Sequence, residues 1–324
     1  MPSRVMLIGD PDQPPRMGLP EHESGVEYVI ADSLEAVRAD LAGCDVVFHH
    51  GRPREALAAS WDLTGRLRWV QVAGVGVDWA LFPELVESDV VVTNCRGVFD
   101  TSLPEYLLAL MLALVKDVPG TLAAQSRHEW QHRLLVPLSG RHALVVGAGS
   151  IGRSTAQLLR AVGMTTTIVG RRRRDGHSHA GLIHGIDELP ELLLTADWLV
   201  VVVPLTPETR GLVGAPELAA LPAGAYVANI GRGPTVVEAA LVEALRSGHL
   251  AGAVLDVFEQ EPLPPTSPLW DMPNVIVSPH IGGDEGDTAA AFGRAFRENL
   301  QRYLAGEPLH DVVDKRLGFV PTDA

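Results

Sequence analysis

Three residues far apart in the chain are of the types a carbonyl reduction needs, and each follows a short apolar run. Arg232 comes after Val227-Ala228-Asn229-Ile230-Gly231, Glu261 shortly after Leu255-Asp256-Val257-Phe258, and His280 directly after Val275-Ile276-Val277-Ser278-Pro279. A planar guanidinium can grip a carboxylate and polarise a neighbouring carbonyl. An imidazolium near neutral pH can deliver a proton to oxygen as hydride reaches carbon. A carboxylate beside the ring keeps it charged in a site that excludes water. Taken singly, an arginine in a glycine turn or one of 12 histidines usually serves structure or solvation. The joint placement after three apolar runs is what points to a site.

A second constellation is Gly147-Ala148-Gly149-Ser150-Ile151-Gly152. It directly follows the apolar run Ala143–Val146 and opens the amphipathic stretch 151–161. Strand, glycine turn and helix in that order form a dinucleotide cradle: Gly147 permits the turn, Gly149 lets backbone approach a pyrophosphate, and Gly152 lets helix pack on strand. Ser150 and Ile151 then start a helix whose positive end meets the phosphates. The bland alternative is a structural strand-to-helix turn. The next strand, 165–169, ends in Gly170-Arg171-Arg172-Arg173-Arg174. A carboxylate is the usual partner of an NAD ribose at this place, whereas arginine suits a 2′-phosphate. Arg171 and Arg172 after Gly170 therefore favour NADPH. NAD is the alternative if the loop is merely solvated and Asp175 takes the ribose.

These residues need elements to hold them. Strands are expected at 5–8, 26–30, 46–48, 69–72 and 90–92, with a helix at 33–42 capped by Ser33. A long helix from about Ser102 to Lys116 leads into a second series of strands at 143–146, 165–169, 198–203, 226–229, 253–256 and 275–278. Between them, 236–247 reads as a helix closed by Gly248, and 288–305 as the last helix. The pattern predicts an α/β chain of two doubly wound parallel-sheet domains. Residues 1–101 with 288–324 would form one domain and 102–287 the dinucleotide-binding Rossmann domain.

The chain has 324 residues, 46% hydrophobic and 20% charged, with 40 acidic against 26 basic side chains and a net charge of -14. That composition excludes a fibrous or largely disordered protein. The negative charge repels phosphate backbones and anionic lipid, so neither nucleic acid nor membrane is an expected partner. Two cysteines make no disulfide framework, and the apolar run 107–115 is too short to cross a bilayer. A cytoplasmic location is expected.

The sequence resembles the D-isomer-specific 2-hydroxyacid dehydrogenases over nearly its whole length. The matching segments, in order, are Gly74-Val75-Gly76-Val77-Asp78, Thr93-Asn94 with Pro104-Glu105, the loop at Gly147, and Pro204-Leu205-Thr206-Pro207-Glu208-Thr209. They continue with Asn229-Ile230-Gly231-Arg232-Gly233, Leu255-Asp256-Val257-Phe258 with Glu261-Pro262, and Ser278-Pro279-His280. The resemblance implies a Rossmann cofactor domain inserted into a flavodoxin-like substrate domain, with Arg232, Glu261 and His280 catalytic. It also implies that Gly74, Val75 and Gly76 receive the substrate carboxylate, that Pro204, Thr206 and Ile230 line the cofactor groove, that Asp256 bonds the nicotinamide carboxamide, and that the chain forms a homodimer. The arginine run is similar to that of the NADPH-dependent glyoxylate and hydroxypyruvate reductases. Ile281-Gly282-Gly283-Asp284 departs from the small residues and threonine of many members. The absence of a C-terminal regulatory segment argues against the longer phosphoglycerate dehydrogenases.

The expected activity is reduction of a small 2-oxo acid to the D-2-hydroxy acid. The rival is a dinucleotide-sensing corepressor-like binding module on the same fold; formate oxidation, which needs no acid–base pair, ranks lower still. Weaker signals complete the reading. His177, His179 and His184 have ligand-like spacing without a cysteine or carboxylate partner, so no metal is expected. His49-His50-Gly51-Arg52 reads as a surface loop that alternatively faces the interdomain cleft. Phe99 and Trp130 suit a pocket border or packing, and Cys95 a small buried filler.

Overall fold

The computed structural model describes residues 2–9, 17–51, 54–175 and 181–321. The chain divides into two compact units, Met1–Val98 with Glu285–Ala324, and Phe99–Asp284.

In the first unit, β1 (Ser3–Ile8), β2 (Val26–Ala31), β3 (Val46–His49), β4 (Trp69–Val72) and β5 (Val91–Thr93) form a parallel sheet in the order β2-β1-β3-β4-β5. This is the flavodoxin-like order. β3 and β4 are buried along their whole length, which is why they read as continuous apolar runs. Helix α1 (Leu34–Asp40) starts where Ser33 Oγ accepts from Ala36 N at 3.3 Å. The short α2 (Pro83–Glu87) begins on proline. The C-terminal helix Thr288–Ala305 returns to this sheet, stacking Phe296 on Phe48 and Trp69 at ring distances of 4.4 and 5.2 Å. A buried polar chain supports the contact. Trp69 Nε1 donates to Thr93 Oγ1 and Thr93 Oγ1 to Gln71 Oε1, which also accepts from Asn299 Nδ2. Lys315 Nζ donates to the carbonyls of Leu85, Ser88 and Val90, tying the tail to the end of α2.

In the second unit, β6 (His142–Val146), β7 (Thr165–Gly170), β8 (Arg174–Asp175), β9 (Leu182–Gly185), β10 (Trp198–Val201), β11 (Ala225–Asn229), β12 (Leu250–Leu255) and β13 (Val275–Val277) run in the order β13-β12-β11-β10-β6-β7-β9-β8. Among the described residues the sheet thus has eight strands where six were expected. β9 and the two-residue β8, antiparallel to it, are short and carry Arg174, Asp175 and His184, so no apolar run announced them. Helices α3 (Ser102–Val115), α4 (Val118–Ser126), α5 (Ser150–Ala161), α6 (Leu189–Leu193), α7 (Ala215–Ala220) and α8 (Glu238–Arg246) accompany the strands.

Alternate strand residues feed two cores. Leu144, Val146, Leu199, Val201 and Val227 pack with Leu193, Leu218, Leu241 and Leu245. Ala143, Val145, Trp198, Val200 and Ala228 pack with Leu107, Met111, Ala156 and Leu159. A sheet covered on both faces is the doubly wound arrangement. Strand order reverses between β6 and β10, and the crevice beyond such a reversal is where open α/β sheets bind ligands. Among the described residues no single helix is long and apolar enough to cross a membrane; α3 and α4 have the length together but bend by 61°.

Candidate active site

The glycine loop leaves β6 at the strand reversal. Gly147 has φ +134, and a Cβ there would stand 2.5 Å from the Val202 carbonyl oxygen. A Cβ on Gly152 would stand 1.9 Å from the Gly147 oxygen, whereas at Gly149 nothing lies within 4 Å. Two of the glycines therefore close the fold and the third faces open space. Gly149 precedes α5, and among the described residues no side chain caps that helix end, so the N–H groups at Ser150 and Ile151 suit an anion. The cradle fits a dinucleotide pyrophosphate.

Beside it, Gly170 ends β7 so close to the loop that its Cβ would meet that of Ala148 at 2.9 Å. The four arginines beyond it are not equivalent. Arg173 pairs with Glu188, and Arg174 enters β8 opposite Ile183. Arg171 and Arg172 stand exposed at the strand end. Glu188 accepts from Gly185 N at 2.9 Å and faces His184 Nδ1 at 2.8 Å. Those two bonds and Arg173 bring its carboxyl down to about 2. Glu208 is held below the usual carboxylate range by its own backbone N–H, by Thr206 and by the charge of Arg171, so Arg171 faces the Pro204–Thr209 turn. Within that turn Thr209 Oγ1 donates to Pro204 O at 2.6 Å and accepts from Thr206 N at 2.8 Å. Asp175 lies in β8, separated from β7 by β9. His184 is engaged by Glu188, while His177 and His179 lie outside the described residues. Among the described residues, no group of three or more His, Cys, Asp or Glu could hold a metal ion.

Arg232 follows β11 and Ile230, in extended backbone with φ -143. Its carbonyl accepts from Asn229 Nδ2 at 3.1 Å and Thr235 Oγ1 at 2.6 Å, which fixes the turn. The following Gly233 cannot carry a side chain, because its Cβ would overlap the Phe258 carbonyl. The Arg232 turn and the Phe258–Glu261 turn are thereby packed backbone to backbone. Glu261 Oε1 accepts from Phe258 N at 3.0 Å, and Oε2 meets His280 Nδ1 at 2.7 Å. Partial burial pushes the Glu261 carboxyl up. The His280 and Phe258 hydrogen bonds, with the charges of His280 and Arg232, outweigh that and leave it below its ordinary value. The three residues are thus brought into one electrostatic unit although 48 positions separate the first from the last.

One feature of this centre left no trace in the sequence pattern. His280 adopts φ +58, a left-handed conformation that side chains other than glycine, Asn, Asp and His seldom take. Asp256, 2% exposed at the end of β12, accepts from Ser278 Oγ, Ile281 N and Gly282 N. Ser102 Oγ, buried at the start of α3, has no hydrogen-bond partner among the described residues.

Gly74, Val75 and Gly76 belong to the first unit, just past β4. There Asn94 Nδ2 donates to Val75 O at 2.7 Å and Cys95 N to Gly74 O at 2.9 Å. Burial pushes the Cys95 thiol up to about 11, as befits an inert filler. His49 is not a surface-loop residue: β3 runs through it, and it is 1% exposed with its ring edge-on to Trp79. Arg52 lies outside the described residues. Phe99 packs near Gly283, whereas Trp130 is 98% exposed.

Residues 108–282 match the family model "D-isomer specific 2-hydroxyacid dehydrogenase, NAD binding domain". The chain belongs to that family. It is 33% identical over 257 residues to a glyoxylate/hydroxypyruvate reductase B of Pectobacterium carotovorum, covering 78% of this chain and 80% of that protein. It is 32% identical over 314 residues to a D-3-phosphoglycerate dehydrogenase of Methanocaldococcus jannaschii, covering 95% of this chain but only 59% of that protein. A D-isomer specific 2-hydroxyacid dehydrogenase of Xanthobacter autotrophicus Py2, solved with NADPH and MES, superposes with a TM-score of 0.81 at 32% identity, covering 98% and 99% of the two chains. The NAD-binding domain of this family spans the glycine loop and the three residues Arg232, Glu261 and His280.

Proposed function

We propose that the chain reduces a small 2-oxo acid of the glyoxylate or hydroxypyruvate kind to its D-2-hydroxy acid, with NADPH as reductant. The observation that carries this reading is the His280 Nδ1–Glu261 Oε2 pair at 2.7 Å, with the Arg232 charge on the same carboxylate. When bound, NADPH supplies the hydride that adds to the carbonyl carbon. Arg232 grips the substrate carboxylate and polarises the carbonyl. Glu261 accepts from Nδ1 and keeps the imidazole protonated, which leaves the proton on Nε2 to pass to the carbonyl oxygen as the alkoxide forms. The backbone of Gly74, Val75 and Gly76 receives the carboxylate. Pro204, Thr206, Ile230 and Asp256 would border the cofactor, and Arg171 and Arg172 would hold its 2′-phosphate. Names of relatives support the substrate class, since one acts on glyoxylate and hydroxypyruvate, and a solved member holds NADPH.

A homodimer in the cytoplasm is part of the same proposal. Trp130 and Leu134, 98% and 95% exposed, lie on an irregular segment pinned by Arg133 to Asp117 and by Lys116 to Val136 O. Such a fixed apolar projection suits a second copy.

Spectrophotometric NADPH oxidation with glyoxylate, hydroxypyruvate, pyruvate, phenylpyruvate and 3-phosphohydroxypyruvate tests the reading. Turnover of the short 2-oxo acids is the expected result. Tight NADPH binding without turnover of any would favour the dinucleotide-sensing module instead.

A further inference from the structure

A histidine in the left-handed region must be held there, and the hydrogen bonds around His280 show how. Its neighbours on both sides converge on one carboxylate: Ser278 Oγ and Ile281 N donate to Asp256 Oδ1, and Gly282 N to Oδ2. Three charge-assisted bonds occupy most of the roughly four acceptor positions of a carboxylate. Ser278 Oγ lies 2.8 Å from Tyr106 OH, on helix α3 and 172 positions away. The helix sits flush against the loop, since a Cβ on Gly282 would meet Leu103 Cδ1 at 2.6 Å and Tyr106 Cδ1 at 3.0 Å. Ser278 can donate only one proton. Because that proton goes to Asp256, Tyr106 is the donor to Ser278, and the chain runs in a single direction from helix to carboxylate.

We propose that Tyr106 and Asp256 are positioning residues for His280: the chain Tyr106–Ser278–Asp256 locks the left-handed turn from which the imidazole reaches Glu261. Neither acts on the substrate through this contact. The consequence for turnover rests on the reductase reading above; the consequence for the ring does not.

The test is Tyr106→Phe, which removes one hydroxyl and keeps the aromatic ring against Gly282. By NMR, the Nδ1 proton of His280 is expected to shift or to broaden through exchange. In assays kcat should fall about tenfold, the worth of one buried hydrogen bond, with KM and the NADPH Kd unchanged. In a His280→Gln background the same substitution should cost nothing further. Ser278→Ala should reproduce the effect. An unmoved His280 signal, or an equal loss of rate in the His280→Gln background, overturns the proposal. Should His280→Gln turn over like the parent, the reductase reading fails, while the NMR result still decides whether Tyr106 sets the ring.

Discussion

Four consecutive arginines have different surroundings. Arg173 completes the Glu188–His184 cluster and Arg174 builds β8, while Arg171 and Arg172 are exposed at the end of β7. Replacing both by alanine is expected to weaken NADPH binding by about 100-fold, from two lost charge-assisted contacts, and NADH binding by far less. Fluorescence titration with both cofactors measures this, and equal losses would remove the 2′-phosphate argument. Glu261 offers a second test. Its folded value lies below the ordinary carboxylate range, so its ionised form stabilises the fold above that range, and the contribution disappears as pH falls through the lowered value. The side chain is 36% exposed, which limits the effect to below about 1 kcal/mol. The urea-midpoint difference between the parent and Glu261→Gln should therefore be present at neutral pH and vanish in acid. Arg232, Glu261 and His280 could be singled out because each follows an apolar run, although β13, before His280, is only partly buried. The turn at His280 and the Tyr106 bond could not be, because a distant tyrosine hydroxyl leaves no local pattern.

Strands announced themselves wherever both faces are covered, as in β3, β4 and β10. Among the elements that escaped are some whose order comes from specific bonds: β8 and β9 at the polar sheet edge, and α4. That helix starts at Val118-Pro119-Gly120, with Asp117 at φ +46 capping Gly120 N at 3.1 Å. Glycine positions separate fold from function at this scale. Gly152→Ala forces a methyl into the Gly147 carbonyl, so α5 must move off β6. A drop of several kcal/mol in stability, about 3 or more, is the expected outcome. Gly149→Ala meets open space, so thermal unfolding should shift little while cofactor affinity falls. Calorimetry with a parallel NADPH titration separates the two, and a strongly destabilised Gly149→Ala would refute the assignment.

At the level of the molecule, a net charge of -14 coexists with two exposed arginines at one strand end. Trp130 belongs to this scale. Trp130→Asp is expected to convert a dimer to a monomer in sedimentation velocity without lowering the melting temperature by more than about 4 °C, because the exposed side chain has no intramolecular packing to lose. A parent protein that sediments as a monomer would dispose of the dimer. Two series of strands suggested a division of the chain, with the last helix joined to the first series; the seat of that helix, where Phe296 stacks on Phe48 and Trp69, left no pattern in the sequence.

That seat has a bearing on how the molecule comes into being. On the ribosome, β1 to β5 emerge first, yet the aromatic that covers them comes after the whole of Phe99–Asp284 has been made. Through most of translation the face of the N-terminal sheet that carries Phe48 and Trp69 therefore lacks its covering aromatic, and chains truncated shortly before residue 290 are expected to expose that apolar face and aggregate.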